Sequence, residues 1–129
     1  MANYRILLAD DELALRFLLT ETLADEGYEI TEAEDGKEAL LNIQITQYDL
    51  IILDYMMPEL TGVEVCEWLR NQSNPNQATP VILLTAKALE KDRERAKKAG
   101  VSSYIVKPFS PLQLVDTVQQ LIESRQQDV

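Results

Sequence analysis

Residues 49–62, DLIILDYMMPELTG, hold the run that sets the fold of this 129-residue chain. Leu50, Ile51, Ile52 and Leu53 are four consecutive apolar residues, the pattern of a strand buried on both faces, as in parallel sheets covered by helices. Asp54 stands at the end of that run. The carboxyl ends of the strands of an open parallel sheet form the crevice where ligands bind, so an acid placed there projects into a crevice rather than a core.

Upstream, residues 5–9 (RILLA) repeat the pattern and run directly into Asp10, Asp11 and Glu12. Residues 12–26 predict a helix in which Leu15, Leu18, Leu19, Thr22 and Leu23 recur at helical spacing and which Gly27 stops. Residues 28–33 (YEITEA) alternate and predict an edge strand. Asp35 and Glu38 then form a capping-box pattern ahead of Ala39, Leu40 and Ile43.

Downstream, Thr61 and Glu64 repeat the capping signature before a helix carrying Val63, Val65, Cys66, Trp68 and Leu69. Residues 71–79 (NQSNPNQAT) are rich in turn formers and read as a surface loop. A fourth strand over 81–84 ends at Thr85, a fourth helix over 89–99 is stopped by Gly100, and a fifth strand over 103–106 leads to Lys107 and Pro108. Ser110 caps a last helix, with Pro111 in its first turn, Gln113 completing the box, and Leu112, Leu114, Val115, Val118, Leu121 and Ile122 as its apolar residues. Five strands alternating with five helices predict a doubly wound (βα)5 flavodoxin-like three-layer sandwich. Right-handed crossovers place helices on both faces of a parallel sheet of order 2-1-3-4-5, with the switch point between strands one and three.

Composition narrows the function. Asp and Glu number 22 against 12 Lys and Arg, a net charge of −10, which argues against direct nucleic-acid binding because a phosphate backbone selects basic surfaces. The amino terminus lacks the features of a secretory signal and no apolar run reaches membrane-spanning length, so the expected location is the cytoplasm, without membrane insertion. The lone cysteine, Cys66, cannot form an internal disulfide and is expected to pack in a helix. With no histidine, the chain has neither a Ser/His pair nor a His-ligated metal site. One domain is expected over residues 1–124, followed by a polar tail, residues 125–129, that frays.

Under the predicted strand order Asp10, Asp11 and Asp54 converge at one end of neighbouring strands, with Thr85 and Lys107 on the next two. Three carboxylates within about 5 Å repel by roughly 3 kcal/mol per pair at an effective dielectric near 20, and a divalent cation removes the conflict. Hard oxygen donors without His or Cys suit Mg²⁺. The set fits phosphoryl transfer: Asp54 as nucleophile, Lys107 with the metal neutralising phosphoryl oxygens, and the Thr85 hydroxyl donating to one of them. Met56, Ala86 and Lys87 are expected beside the phosphate, with Met56 excluding water.

These residues resemble the receiver domain of two-component response regulators, of the CheY-like superfamily, from residue 5 to about 123. The matching motifs are the acid pair Asp10 and Asp11, the LDYMMPELTG segment with Asp54, Met57, Pro58 and Gly62, the Thr85–Ala86 pair, and Lys107, Pro108 and Phe109. The resemblance implies that Asp54 accepts a phosphoryl group from a sensor histidine kinase or a His-phosphotransfer protein. It implies that Asp11, Asp54 and the Met56 backbone carbonyl bind Mg²⁺, with Asp10 acting through water. It further implies that Thr85 and Tyr104 form a switch pair, Tyr104 turning inward on phosphorylation, and that the Lys107–Pro108 bond is cis.

Helix four is the expected moving part, because between residues 87 and 99 the only large apolar side chain is Leu89, supported by Ala88, Ala96 and Ala99. The surface of helix four, strand five and helix five would then control a downstream protein or a second copy of the chain. Leu13 and Phe17 fall beside the apolar stripe of helix one and suit docking of the phosphodonor. Two alternatives remain. The chain could be the receiver part of a longer regulator. An aspartyl-phosphate phosphatase would carry a second acid two residues after the nucleophile, where Met56 stands.

Overall fold

The computed structural model describes residues 3–87 and 89–127. Ala88, expected to help seat the fourth helix, lies outside the described residues, as do Asp128 and Val129 of the expected tail. The elements run β1 (Arg5–Ala9), α1 (Leu13–Asp25), β2 (Glu29–Ala33), α2 (Gly36–Ile45), β3 (Leu50–Asp54), α3 (Gly62–Asn71), β4 (Val81–Thr85), α4 (Glu90–Ala99), β5 (Ser103–Val106) and α5 (Pro111–Gln127). All strand pairs are parallel and the order is β2-β1-β3-β4-β5, as the periodicity predicts.

Alternation along the central strands divides the core in two. Leu7, Ile51, Leu53, Val81 and Leu83 face α2, α3 and α4. Ile6, Leu8, Leu50, Ile52, Ile82 and Leu84 face Leu19 and Leu23 of α1 and Leu114, Val115, Val118 and Ile122 of α5. Every residue of β3 and β4 is buried, which is why their sequences show continuous apolar runs, whereas β2 at the edge is half exposed.

The helices differ from the sequence expectation where one face was misjudged. Leu18 and Leu112 are exposed. The buried face of α1 is Arg16, Leu19 and Leu23, spaced three and four apart, so a charged residue occupies a position on the core side. Leu89 does not seat α4. It precedes the helix and is 64% exposed, leaving Ala96 and Ala99 as the buried residues of α4. The expected frayed tail is instead helical through Gln127, and Arg125 Nη1 donates to the Asp49 carbonyl at 3.3 Å.

The loop over 71–79 is also more than a surface connection. Asn76 is fully buried: its Nδ2 donates to Ile43 O at 2.8 Å and Thr46 O at 2.7 Å, while its Oδ1 accepts from Tyr48 N at 2.7 Å and Thr79 Oγ1 at 3.1 Å. Arg70 at the end of α3 donates to Gln77 O at 2.9 Å and to Gly100 O at 3.0 Å. Gly100 itself ends α4 at φ 95°, a conformation that a side chain disfavours, and its N–H and that of Val101 close on Lys97 O and Ala96 O.

Helix α3 begins with the predicted capping box, Thr61 and Glu64 each bonding the other's backbone N–H. Gly62 follows, and its place is set by close approach: a Cβ there would sit 2.5 Å from the Asp54 carbonyl oxygen and 2.8 Å from Leu83 Cδ1. Gly62→Ala is therefore expected to destabilise the protein by about 1–3 kcal/mol, the usual cost of overpacking. Urea unfolding checks it, and an unchanged midpoint would mean that the β3–α3 connection has slack.

Candidate functional site

The register carries the acids to one place. Ala9 pairs with Leu53, so the residues that follow, Asp10 and Asp54, leave adjacent strands side by side. Asp54 pairs with Leu84, and Thr85 with Val106, while Lys107 N donates to Thr85 O at 2.8 Å and Tyr55 N to Leu84 O at 2.8 Å. Asp11, Asp54, Thr85 and Lys107 thus line one open cleft together with Glu12, Tyr55, Met56, Ala86 and Lys87.

Asp10 is 0% and Asp54 4% exposed, while Asp11 faces solvent. One ligand atom from each of the three lies within 4.8 Å of the others. Lys107 Nζ donates to Asp54 Oδ1 at 3.1 Å, the one ion pair inside the cleft among the described residues. Asp10 Oδ1 accepts from Glu12 N at 2.8 Å, whereas Asp10 Oδ2 is buried with no partner.

That orphan oxygen shapes the electrostatics. Burial pushes the Asp10 carboxyl up to about 6, and the nearby Asp54 charge adds to the rise while the Glu12 N–H opposes it. Burial likewise raises Asp54, with the Lys107 ammonium opposing. The sequence expectation placed the conflict in mutual repulsion of the carboxylates. Desolvation is instead the larger cause, because two of the three acids lie at the ends of fully buried strands. An unpartnered carboxylate oxygen beside two further carboxylates, with no nitrogen or sulfur donor among them, fits a hard divalent cation such as Mg²⁺.

Thr85 is buried and its Oγ1 accepts from Lys87 N at 2.9 Å, which leaves the hydroxyl proton to be donated elsewhere. Lys87 Nζ stands 4.9 Å over the Tyr55 ring, a contact absent from the sequence reading. Met56 is exposed at the cleft and Met57 buried in the core, which divides the two methionines between site and packing. Tyr104 is half-buried beneath the Arg93 guanidinium, 5.5 Å away, and its hydroxyl is already enclosed without a partner. The Lys107–Pro108 bond is cis. Leu13 and Phe17 are exposed on α1, as the spacing predicts. Cys66 is buried, which pushes its thiol up to about 11 and makes it inert at neutral pH.

One polar residue near the acids escaped the sequence reading. Arg16 reaches from α1 to the Asp10 carbonyl at 2.6 Å and to Glu32 Oε1 at 3.0 Å. Its spacing from Leu19 and Leu23 was the available signal.

Among known proteins, residues 6–119 match the family described as the response regulator receiver domain. The chain is 46% identical over 123 residues to the transcriptional regulatory protein ResD of Bacillus subtilis, a match covering 95% of this chain and 50% of that protein. It spans about half the length of the curated relatives it matches. Among solved structures, the receiver domain of the Francisella response regulator 1452 superposes with a TM-score of 0.89 at 36% identity, covering 95% of this chain and 99% of that one. The receiver domain of the Pseudomonas aeruginosa sensor histidine kinase PA1611, solved with a magnesium ion in its active-site cleft, gives 0.85 at 34% identity and covers 95% and 99%.

Proposed function

Because this chain belongs to the response regulator receiver domain family, whose members are phosphorylation-dependent switches of two-component signalling, we propose that Asp54 is its phosphoacceptor and Mg²⁺ its cofactor. One observation carries the reading: a buried carboxylate at the end of β3 has the Lys107 ammonium at 3.1 Å and two more carboxylates within 4.8 Å. An Asp54 oxygen forms the new bond to phosphorus as the bond from phosphorus to the donor histidine nitrogen breaks. Lys107, already on Asp54 Oδ1, neutralises charge on a phosphoryl oxygen, and the Thr85 hydroxyl donates to another. Asp11, Asp54 and the Met56 carbonyl would hold the ion, with Asp10 behind them through water. Bound there, the ion offsets charge on carboxylates and phosphoryl oxygens.

The chain's chemistry is confined to its own phosphorylation and dephosphorylation. At the cleft position where a phosphatase would place its general acid stands Met56, a side chain with no proton to give. The donor in this reading is a sensor histidine kinase or a His-phosphotransfer protein, docking on the exposed Leu13 and Phe17. The output is a change in the α4, β5 and α5 surface, felt by a downstream protein or a second copy of the chain. Tyr104 would contribute by gaining a hydrogen-bond partner, since its hydroxyl is enclosed from the start. Because the chain spans about half of its curated relatives, which are named as transcriptional regulators, we read residues 1–124 as the receiver unit of such a regulator as readily as a switch working on a separate partner. Among the described residues no helix is long and apolar enough to cross a membrane, and we place the chain in the cytoplasm.

Incubation with acetyl phosphate and Mg²⁺ is expected to add one phosphoryl group by intact mass, and none to Asp54→Asn. A label undiminished in that variant would falsify the assignment.

A further inference from the structure

We infer that Arg16 is a positioning residue for the acid pair, holding the peptide plane between Asp10 and Asp11 in the orientation that lets both carboxylates face one cation. The inference rests on the Mg²⁺ reading above. The carbonyl that Arg16 Nη1 meets at 2.6 Å belongs to the bond joining Asp10 to Asp11. A bond to that oxygen restrains the rotation of the plane, and the plane directs the side chains on either side of it. The same guanidinium is held from the other side by Glu32 Oε1 at 3.0 Å, so one planar group ties the end of β1, the first turns of α1 and edge strand β2. Arg16 lies on the buried face of α1, where its stem packs and its charge is paired, and Glu34 and Glu38 line the same small polar cleft. A fork of donors in fixed directions is what two partners in different directions need, and an ammonium cannot supply it.

Charge alone predicts the opposite behaviour, which makes the role testable by sign. A cation beside the acid cluster repels Mg²⁺, so if Arg16 acted only through its field, Arg16→Met would bind Mg²⁺ more tightly. If it positions the acids, the variant binds more weakly, by about tenfold or more, as expected when a partner supporting a metal ligand is lost. Titration calorimetry of Mg²⁺ into the full chain, at fixed pH and ionic strength and without phosphodonor, reads the affinity directly. Arg16→Lys keeps the charge and is the deciding variant if Arg16→Met does not melt cooperatively. Its affinity should fall several-fold while its metal-free melt stays cooperative. Unchanged affinity in Arg16→Lys, or tighter binding in Arg16→Met, overturns the positioning role. If the parent itself shows no binding that Asp11→Asn removes, the Mg²⁺ reading fails first and this inference with it.

Discussion

Asp10→Asn should raise the stability of the protein in EDTA at pH 8 by up to about 3 kcal/mol, and should remove a pH dependence that the parent carries. The magnitude follows from burial, which moves the Asp10 carboxyl from 3.8 to about 6, roughly two units at about 1.4 kcal/mol each. A carboxyl raised in the folded state holds its proton more tightly when folded. Its favourable contribution is therefore complete below the unfolded value and is lost as pH rises from about 4 through about 6. Asparagine keeps an oxygen for the Glu12 N–H and places an amide where Oδ2 has no partner. Urea unfolding of parent and variant across that range gives a difference curve from which carboxylates remote from the cleft cancel, leaving Asp10 and the neighbouring Asp54 that interacts with it. A flat difference would remove Asp10 as the strained member of the site. Asp11→Asn, the substitution that repulsion alone would single out, should do less because Asp11 is solvent-exposed. Mg²⁺ should stabilise the parent more than the Asp10 variant.

Asn76→Ala is expected to cost about 3 kcal/mol or more, a loss on the scale of truncating a large core side chain. Four hydrogen bonds converge on that one amide, and its partners include carbonyls at the end of α2 and the Tyr48 N–H ahead of β3. Each partner left buried and unpaired costs about 1–3 kcal/mol, less whatever an entering water recovers. Asn74→Ala, in the same loop but half exposed, should cost less. A thermal melt separates them, and equal small losses would show that the loop rearranges around the gap.

Asn76 and Arg16 also mark where the sequence stopped being legible. The strands could be read because burial on both faces leaves continuous apolar runs, and the acids because each follows such a run. Sheet order, the converging Asp10, Asp11 and Asp54, and the neighbouring Lys107 all followed from those two facts. Arg16 and Asn76 are polar residues buried by partners 16 and 33 positions away, Glu32 and Ile43, and local pattern says nothing about such partners. Leu18 and Leu112 failed in the opposite direction. Helical spacing admits more apolar residues than one face can bury, and only the packed neighbours decide which remain outside.

The two ends of α4 are held unequally. Its carboxyl end is held by buried Ala96 and Ala99 and by the Arg70 bond to Gly100, whereas Leu89 at its amino end is exposed and provides no side-chain cap. Ten residues of helix span about 15 Å, so a tilt of about 10° around the held end carries the other end about 2.6 Å. That far end follows Thr85 by a connection of four residues, Lys87 among them. Were α4 to move in the proposed switch, a displacement there of the size of one hydrogen bond would swing the helix while Gly100 stayed nearly still, with the fulcrum on the α3 side and the stroke beside Tyr104.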